Sequence, residues 1–315
     1  MKKLFTAAAV MLTVSATHVQ ASTAQILAFG DSLLDSGNLD LALKFSGGTG
    51  INGLPVTPGT PPRTYPAGQF TDGNTWTTQL GLLPSLAGGT NFGYGGATSV
   101  ENGDFIPDLK VQIEDFRDSG LEVDGHTTAT IWAGGNDFRA FDPNWTRKEI
   151  NDAVRTVTKT IAKSARNLNR SGVSSIIVLG LPEVAQLPES VRNYNQQLMR
   201  ITDRLDRKLA DTNIRFFDTN SLFQEILIEA ALDPNRNLAA VPCIYNPTDC
   251  AENPLNYVFY DEIHPSEWVH SILAERIAQE IYGSVAEIPL PATAPLLLAG
   301  LGGLGLWARR RKSRA

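Results

Sequence analysis

The sequence has only two cysteines and four histidines among its 315 residues, and it contains no internal repeat and no coiled-coil heptad pattern. The absence of repeats excludes solenoids and propellers, in which each unit stacks on a similar neighbour. Cys243 and Cys250 lie seven residues apart with no histidine nearby, which argues against half a metal site there. We expect a disulfide between them if the protein reaches an oxidising compartment, with a pair of free thiols as the alternative.

The N-terminal segment, residues 1–21, has the pattern of a secretory signal. Lys2 and Lys3 are followed by an apolar run at 4–14 and then by Val19-Gln20-Ala21, which is typical of a site cleaved after export. We therefore expect the mature protein to begin near residue 22 and to leave the cytoplasm.

The C-terminal segment, residues 284–315, is typical of a sorting tail. Ile288-Pro289-Leu290-Pro291-Ala292 leads into an apolar stretch at 294–308 and then into basic residues from Arg309 onward. The stretch is at or below the roughly 17 residues that span a bilayer, so we expect transient membrane contact through it. The pattern resembles the PEP-CTERM tails of Gram-negative bacteria, with Ile288 in the first place of Val-Pro-Leu-Pro-Ala. This resemblance implies an exosortase-type sorting enzyme as a partner and a final location at the cell surface or outside the cell.

The body between the two ends is strongly acidic. Seven of the 27 lysines and arginines lie in the end segments, and no aspartate or glutamate lies in residues 1–21 or 292–315, so the body carries a formal charge of about −13. An acidic surface repels phosphate backbones, which disfavours nucleic-acid binding and is compatible with neutral ester substrates.

Apolar runs alternate with helical patterns along this body, which predicts one α/β domain over residues 22–283 with a parallel sheet covered by helices on both faces. The five predicted strands are residues 26–29, 90–93, 129–133, 175–179 and 214–217. The predicted helices, each with apolar residues at three- and four-residue spacing, are residues 147–169, 192–210, 221–231 and 265–282. A stretch rich in glycine and proline, residues 45–68, is either a functional loop or a tolerated insertion.

A candidate nucleophile follows the first predicted strand. Ser32, in Gly30-Asp31-Ser32-Leu33, is expected at the carboxyl edge of the sheet, where α/β proteins bind their ligands. A serine hydroxyl there becomes a nucleophile only when a base removes its proton and donors stabilise the oxyanion. Taken alone, the same residues are also typical of an ordinary turn and helix cap.

The candidate base lies near the other end of the body. His264 precedes Pro265, which disfavours helical geometry at the histidine and suits the first turn of the next helix. Asp261, three residues earlier, can fold back to orient the imidazole. A capping aspartate beside a surface histidine is the alternative, while we expect His270 on a helix face and His126 in a loop.

Two further strand ends carry candidate oxyanion donors. Gly93-Tyr94-Gly95-Gly96 and Gly134-Gly135-Asn136-Asp137 combine glycines, whose backbone N–H groups can approach a substrate, with a neutral amide donor. Each is a normal tight turn when taken alone. Their predicted position at one edge, together with Ser32 and His264, favours a catalytic site.

These segments together resemble the GDSL, or SGNH, hydrolases over about residues 26–282. The family's four blocks occur in order as Gly30-Asp31-Ser32-Leu33, then Gly96 or alternatively Gly95, then Gly135-Asn136-Asp137, and last Asp261 with His264. Residues 69–76 and 194–198 are similar to the longer plant and secreted bacterial members.

The resemblance implies a flavodoxin-like three-layer α/β/α sandwich with a five-stranded parallel sheet of order 2-1-3-4-5, and no metal or cofactor. It implies Ser32 as nucleophile, with Ser32 N–H, Gly96 N–H and the Asn136 amide as oxyanion donors. We expect a secreted esterase or lipase that forms an acyl-enzyme on Ser32, its substrate a small-molecule, lipid or glycan ester. The alternatives are a deacetylase of acetylated polysaccharide and a non-catalytic surface protein on the same fold.

Overall fold

The computed structural model describes residues 25–52, 64–142, 144–183, 188–209, 211–236 and 238–283. The predicted signal (1–21) and sorting tail (284–315) lie outside these residues, as does most of the second half of the 45–68 stretch. Within the described ranges, the helices are all too short or too polar to cross a bilayer. The tail, for which membrane contact is expected, lies outside the described residues.

Four parallel strands form the sheet and lie in the order β1-β2-β3-β4. They are β1 (Ile26–Gly30), β2 (Thr128–Trp132), β3 (Ser175–Leu179) and β4 (Asn213–Phe217). The register places Ala28 beside Thr130 and Thr130 beside Ile177, so the strands end together at one edge. Every residue of β1 and β2 is buried, which means that the sheet is covered on both faces.

The prediction of a fifth strand, and with it the order 2-1-3-4-5, is wrong. Residues 90–93 lie beside β1 on the side away from β2, but Asn91 makes only isolated bridges, to Ala28 and to Pro84. Three backbone bonds join the two segments: Ala28 N–H to the Thr90 carbonyl at 3.1 Å, Phe92 N–H to the Ala28 carbonyl at 2.8 Å and Tyr94 N–H to the Gly30 carbonyl at 3.1 Å. The ladder is interrupted because Gly30 N–H donates to Gln112 Oε1 instead. Glycines follow at once, and the chain turns at Gly96 with φ 85°. Glycine has no side chain to pack on a pleated surface, so the pairing ends there.

Nine α-helices occur in the described residues, and most contact the sheet or each other. They are α1 (Asn38–Phe45), α2 (Trp76–Gln79), α3 (Leu109–Asp118), α4 (Gly135–Arg139), α5 (Arg147–Arg170), α6 (Pro188–Asp206), α7 (Thr219–Leu232), α8 (Pro247–Glu252) and α9 (Glu267–Tyr282). Short 3₁₀ helices lie at Ser85–Ala87, Cys243–Tyr245 and Pro254–Asn256. The helix predicted at 192–210 is α6, which begins earlier because Pro188 suits a first helical turn.

The longest helix, α5, has clear local signals. Thr146 and Glu149 form a reciprocal capping box at its start, which satisfies backbone donors that have no helical partner. Val154, Val157 and Ile161 are buried at the spacing of one helical face. These interactions fix α5 beside β2 and against α6 and α3.

A second apolar cluster lies apart from the main core and joins loops rather than strands. Its buried members are Leu39, Ile51, Tyr65, Phe70, Tyr94, Ala97, Cys243, Cys250, Tyr257 and Tyr260. The cluster holds the loops after β1 and after residues 90–93 against the segment that precedes α9. We call it the loop cluster.

Asn38 adds side-chain bonds to the few backbone bonds that hold residues 90–93 beside β1. Its amide donates to the carbonyls of Asn91 and Gly93 at 2.8 and 2.9 Å, and its oxygen accepts from Ser85 and Leu86 at 3.2 Å. The side chain is fully buried, so no water can replace these bonds.

We therefore expect Asn38→Ala to lower the free energy of unfolding by about 3 kcal/mol or more, because it leaves several buried polar groups unpaired. Urea unfolding of purified protein would measure this. Asn235→Ala is the matched control, since the Asn235 amide bonds only to Asp233 in an exposed turn. Equal stability of the two variants would contradict the role given to Asn38.

Candidate active site

Ser32 lies in the turn that follows β1, and the backbone just before it is fixed from two sides. Gly30 has φ 149°, and a Cβ there would lie 1.8 Å from the carbonyl oxygen of Trp132, so only glycine fits. Gln112 of α3 accepts from Gly30 N–H and donates to its carbonyl, both at 2.8 Å. These contacts set the direction in which the chain leaves the sheet and hold Ser32 at its carboxyl edge.

The structure brings Ser32 and His264 together although they are 232 residues apart. Ser32 Oγ lies 2.8 Å from His264 Nε2, and His264 Nδ1 lies 2.7 Å from Asp261 Oδ2. Ser32 is 6% exposed, His264 3% and Asp261 0%. A hydroxyl, an imidazole and a carboxylate in this order are the arrangement that converts serine into a nucleophile.

Asp261 is surrounded by hydrogen-bond donors. Its Oδ1 accepts from the backbone N–H groups of Ile263 and His264, both at 2.9 Å. Its Oδ2 accepts from the hydroxyl of Tyr65 at 2.7 Å as well as facing the His264 ring. The Asp-x-Ile-His spacing predicts the backbone bonds, since aspartate commonly accepts from N–H groups two and three residues on. Tyr65 was missed, because no sequence pattern connects it to a residue 196 positions away.

The expected glycine donor can be distinguished from its neighbour by its hydrogen bonds. Gly95 N–H donates to Asp35 Oδ2 at 2.8 Å and is therefore occupied. Gly96 N–H and Ser32 N–H make no hydrogen bond within the described part of the chain. Two backbone donors are thus left open near the serine, and Gly96 rather than Gly95 is one of them.

Asn136 lies in the first turn of α4, directly after β2. One N–H of its side chain donates to the carbonyl of Ala97 at 2.9 Å, next to Gly96 in the chain. An amide has two such hydrogens, so one is left for a substrate oxygen. Tyr194 of α6 donates to the carbonyl of Ala133 at 2.7 Å and fixes the end of β2 from which α4 begins.

Three buried aspartates position these loops, and the sequence analysis did not single them out. Asp35 accepts from four backbone N–H groups, those of Gly37, Asn38, Leu39 and Gly95, and Asp137 accepts from those of Ser99 and Val100. Asp31 accepts from Leu33 N–H at 3.1 Å. Burial raises the pKa of Asp31 to about 7 and the pKa values of Asp35 and Asp137 to about 6. The Asp35-x-Gly37 spacing, typical of turns closed by an aspartate, is the signal that could have found the first of them.

The expected disulfide between Cys243 and Cys250 is present. Beside it, the N–H groups of Cys243 and Ile244 donate to the carbonyls of Phe259 and Tyr260 at 3.0 and 2.9 Å. The cross-linked loop therefore supports the chain just before Asp261. Among the described residues there is no group of three or more His, Cys, Asp or Glu that could hold a metal ion.

The two other histidines of the described body differ in environment. His126 is exposed in a loop, as expected. His270, expected on a helix face, is fully buried in α9, where its Nδ1 accepts from Trp76 N–H at 3.3 Å. Burial lowers the pKa of His270 to about 3, so the ring is neutral at ordinary pH.

Comparison with known proteins gives two matches to family profiles. GDSL-like lipase/acylhydrolase matches residues 26–277, and the PEP-CTERM protein-sorting motif matches residues 287–312. The first match covers nearly the whole α/β body, and the second covers most of the tail. Both resemblances seen in the sequence are confirmed.

Individual relatives are distant. The chain is 28% identical over 245 residues to a phosphatidylcholine-sterol acyltransferase of Aeromonas hydrophila, covering 69% of this chain and 65% of that protein. It is 22% identical over 335 residues to a GDSL esterase/lipase of Arabidopsis thaliana, covering 84% and 89%. The chain spans between 54% and 65% of the length of three bacterial relatives that it matches. A solved catalytic mutant of an acetylxylan esterase from Geobacillus stearothermophilus superposes with a TM-score of 0.47 at 19% identity, covering 82% of this chain and 94% of that one.

The buried neutral His270 predicts a specific loss of stability in acid. The unfolded chain binds a proton at this histidine below about pH 6.5, whereas the folded chain does so only near pH 3. The stability that His270 contributes is complete above pH 6.5 and decreases by up to about 1.4 kcal/mol per pH unit as the pH falls towards 3.

We expect His270→Asn to reduce this pH dependence, because Asn can still accept from Trp76 N–H but does not titrate. Urea unfolding between about pH 5 and pH 7.5 would measure the slopes. His126→Asn, at the exposed histidine, should keep the slope of the wild type. Identical slopes for wild type and His270→Asn would show that the buried ring is not the cause.

Proposed function

The chain belongs to the GDSL-like lipase/acylhydrolase family, and we propose that it is an exported serine ester hydrolase that acts through an acyl-enzyme on Ser32. One observation carries the proposal: the unbroken hydrogen-bond path from Ser32 Oγ through His264 to Asp261, with lengths of 2.8 and 2.7 Å. A surface protein that had merely kept the fold would have no need to maintain this path.

In the proposed reaction, His264 Nε2 takes the Ser32 proton while Oγ attacks the ester carbonyl carbon. Asp261 stabilises the imidazolium that forms and holds the tautomer with hydrogen on Nδ1. The tetrahedral intermediate collapses, the ester C–O bond breaks, and the imidazolium gives its proton to the leaving alcohol. A water molecule activated by the same nitrogen then attacks the acyl-enzyme, and the carboxylic acid leaves as Ser32 regains its proton.

The developing oxyanion needs donors that are already in place, and three are proposed. Two are the open N–H groups of Ser32 and Gly96, and the third is the remaining hydrogen of the Asn136 amide. The bond from Asn136 to Ala97 supports this set, because it ties the side-chain donor to the residue after Gly96 at 2.9 Å. Donors fixed in this way lose little energy to reorganisation when charge develops.

The acyl group and the alcohol of the substrate are the finer part of the proposal. We propose that the substrate is a carboxylic ester of a small molecule, lipid or glycan, with an acetyl ester of a polysaccharide as the narrower alternative. The match to a sorting motif at 287–312 supports export and processing by an exosortase-type enzyme. We propose the cell surface or the extracellular space of a Gram-negative bacterium as the site of action, where polymer and lipid esters are both accessible.

The arrangement of Ser32, His264 and Asp261 predicts that removal of the Ser32 hydroxyl causes a large loss of activity. Ser32→Ala should lower kcat about 10⁴- to 10⁶-fold, because the acyl-enzyme cannot form, and His264→Ala should be similarly affected. The measurement is hydrolysis of p-nitrophenyl esters of increasing chain length and of acetylated xylan, with a fluorophosphonate probe to report on serine labelling.

Ser36→Ala is the matched control for this test. The Ser36 hydroxyl is also buried and has no hydrogen-bond partner among the described residues, so its removal should leave kcat unchanged. Wild-type hydrolysis by Ser32→Ala would refute the mechanism. Release of acetate from xylan without hydrolysis of longer acyl esters would favour the deacetylase.

The oxyanion site predicts a smaller loss at Asn136. Asn136→Ala should lower kcat about 10²- to 10³-fold with little change in KM, as expected when one preorganised donor is removed. Asn144→Ala removes an exposed amide that bonds only to Asp142 and should behave as wild type. An unchanged kcat for Asn136→Ala would exclude this side chain from the oxyanion site.

A further inference from the structure

We propose that Tyr65 is a positioning residue for the acid–base pair of the site, acting through the hydrogen bond that its hydroxyl donates to Asp261. The O···O distance is 2.7 Å, and the tyrosine is 2% exposed. The proposal rests on the proposed ester hydrolysis, because it concerns the group that orients the catalytic histidine.

The phenol bonds to the same oxygen that faces the imidazole. Asp261 Oδ2 lies 2.7 Å from both Tyr65 Oη and His264 Nδ1, while Oδ1 is occupied by two backbone N–H groups. The Tyr65 ring also stands edge-on to the His264 ring, with centroids 6.3 Å apart and an interplanar angle of 86°. One side chain therefore contacts both partners of the pair.

This arrangement matters because Asp261 has no contact with solvent. A buried carboxylate is stable as an anion only when donors replace the water that it has lost. The Tyr65 hydroxyl stabilises the charged form and restricts rotation of the carboxylate, so that a lone pair of Oδ2 points at His264 Nδ1. Without this bond, the orientation of Oδ2, and with it that of the imidazole, would be less defined.

Tyr65 is itself held on both sides. Its N–H donates to Asn52 Oδ1 at 2.7 Å, its carbonyl accepts from Gly68 N–H at 3.0 Å, and the hydroxyl of Tyr260 bonds to the carbonyl of Thr64. The ring packs against Phe70 and Tyr260 in the loop cluster, at centroid distances of 5.0 and 5.7 Å. The tyrosine is a fixed part of the site.

The chain beyond Tyr65 is bound to the segment beyond His264. Thr71 Oγ1 donates to the Pro265 carbonyl at 2.9 Å, and Asp72 Oδ1 accepts from Glu267 N–H at 2.7 Å. The two loops are thus tied together at several points along their length. Of the two interpretations of the 45–68 stretch, the bond from Tyr65 to Asp261 favours the functional loop over a tolerated insertion.

Tyr65→Phe separates the hydrogen bond from the packing, because it removes the hydroxyl and keeps the ring. We expect kcat to fall about 10- to 100-fold with KM nearly unchanged, the size typical of one hydrogen bond to a charged group. We also expect the acidic limb of the kcat/KM profile to move to higher pH, because the Asp261–His264 pair holds a proton more tightly without the phenol donor. Among the described residues, the titratable side chains near the pair include Tyr65, Tyr260, Glu262 and His270, and burial keeps His270 neutral in this range.

Tyr257→Phe is the matched control. The Tyr257 hydroxyl also donates to a carboxylate, Asp249 Oδ2 at 2.5 Å, and Tyr257 is likewise in the loop cluster, but Asp249 faces no catalytic group. This variant should lose stability to a similar extent while keeping the kcat and the pH profile of the wild type.

Three outcomes are distinguishable in one set of assays with wild type, Ser32→Ala and the two tyrosine variants. A kcat for Tyr65→Phe within about twofold of wild type, with an unshifted acidic limb, would overturn the proposal. Losses of kcat in both variants that follow their losses of melting temperature would also overturn it, because the role would then be structural. If wild type is no more active than Ser32→Ala, the proposed function itself fails.

Discussion

A carboxylate that is completely shielded from water must obtain all of its stabilisation from neighbouring donors, and Asp261 is such a group. Its donors come from its own turn, from the histidine that it orients and from Tyr65 in a distant loop. The imidazole can point at Ser32 only if the carboxylate is ionised and correctly turned. The geometry of the site therefore depends on how well the loops around one buried charge are held together.

The sheet positions the nucleophile, and the loops position the base and its carboxylate. Strand β1 positions the serine, and its path requires glycine at Gly30, because a Cβ there would lie only 1.8 Å from the carbonyl oxygen of Trp132. The base and its carboxylate, in contrast, lie on a loop that no strand fixes. The loop cluster, the disulfide and the contacts between residues 64–74 and 260–267 take the place of a strand there.

Sequence patterns predicted those parts of the molecule whose structure depends on residues close together in the chain. Alternating apolar runs predicted β1 to β4, and the Asp261 to His264 spacing predicted the bonds within that turn. The fifth strand failed because Gly30 N–H bonds to Gln112, the carbonyls of Asn91 and Gly93 bond to Asn38, and Gly95 N–H bonds to Asp35. β-propensity does not reveal these side-chain partners of the backbone. His270 does lie in a helix, but its burial was not predicted, since a single polar residue in a helix pattern does not reveal that Trp76 N–H needs an acceptor. Tyr65 could not be found at all, because its partner is determined only when two loops have folded.

The choice between Gly95 and Gly96 as the proposed oxyanion donor depends on which backbone N–H already has a partner. The second block falls best on Gly96, with Gly95 as the alternative, and a Cβ would lie 2.1 Å from Phe70 at Gly95 and 2.8 Å from the end of the Ile106 side chain at Gly96. Their backbone donors differ, because Gly95 N–H donates a hydrogen bond to Asp35. The same carboxylate accepts from the N–H groups of Gly37, Asn38 and Leu39 at the start of α1. A residue that closes this turn cannot give the same hydrogen to a substrate. Gly96 N–H, which has no hydrogen bond among the described residues, is therefore the donor that we propose.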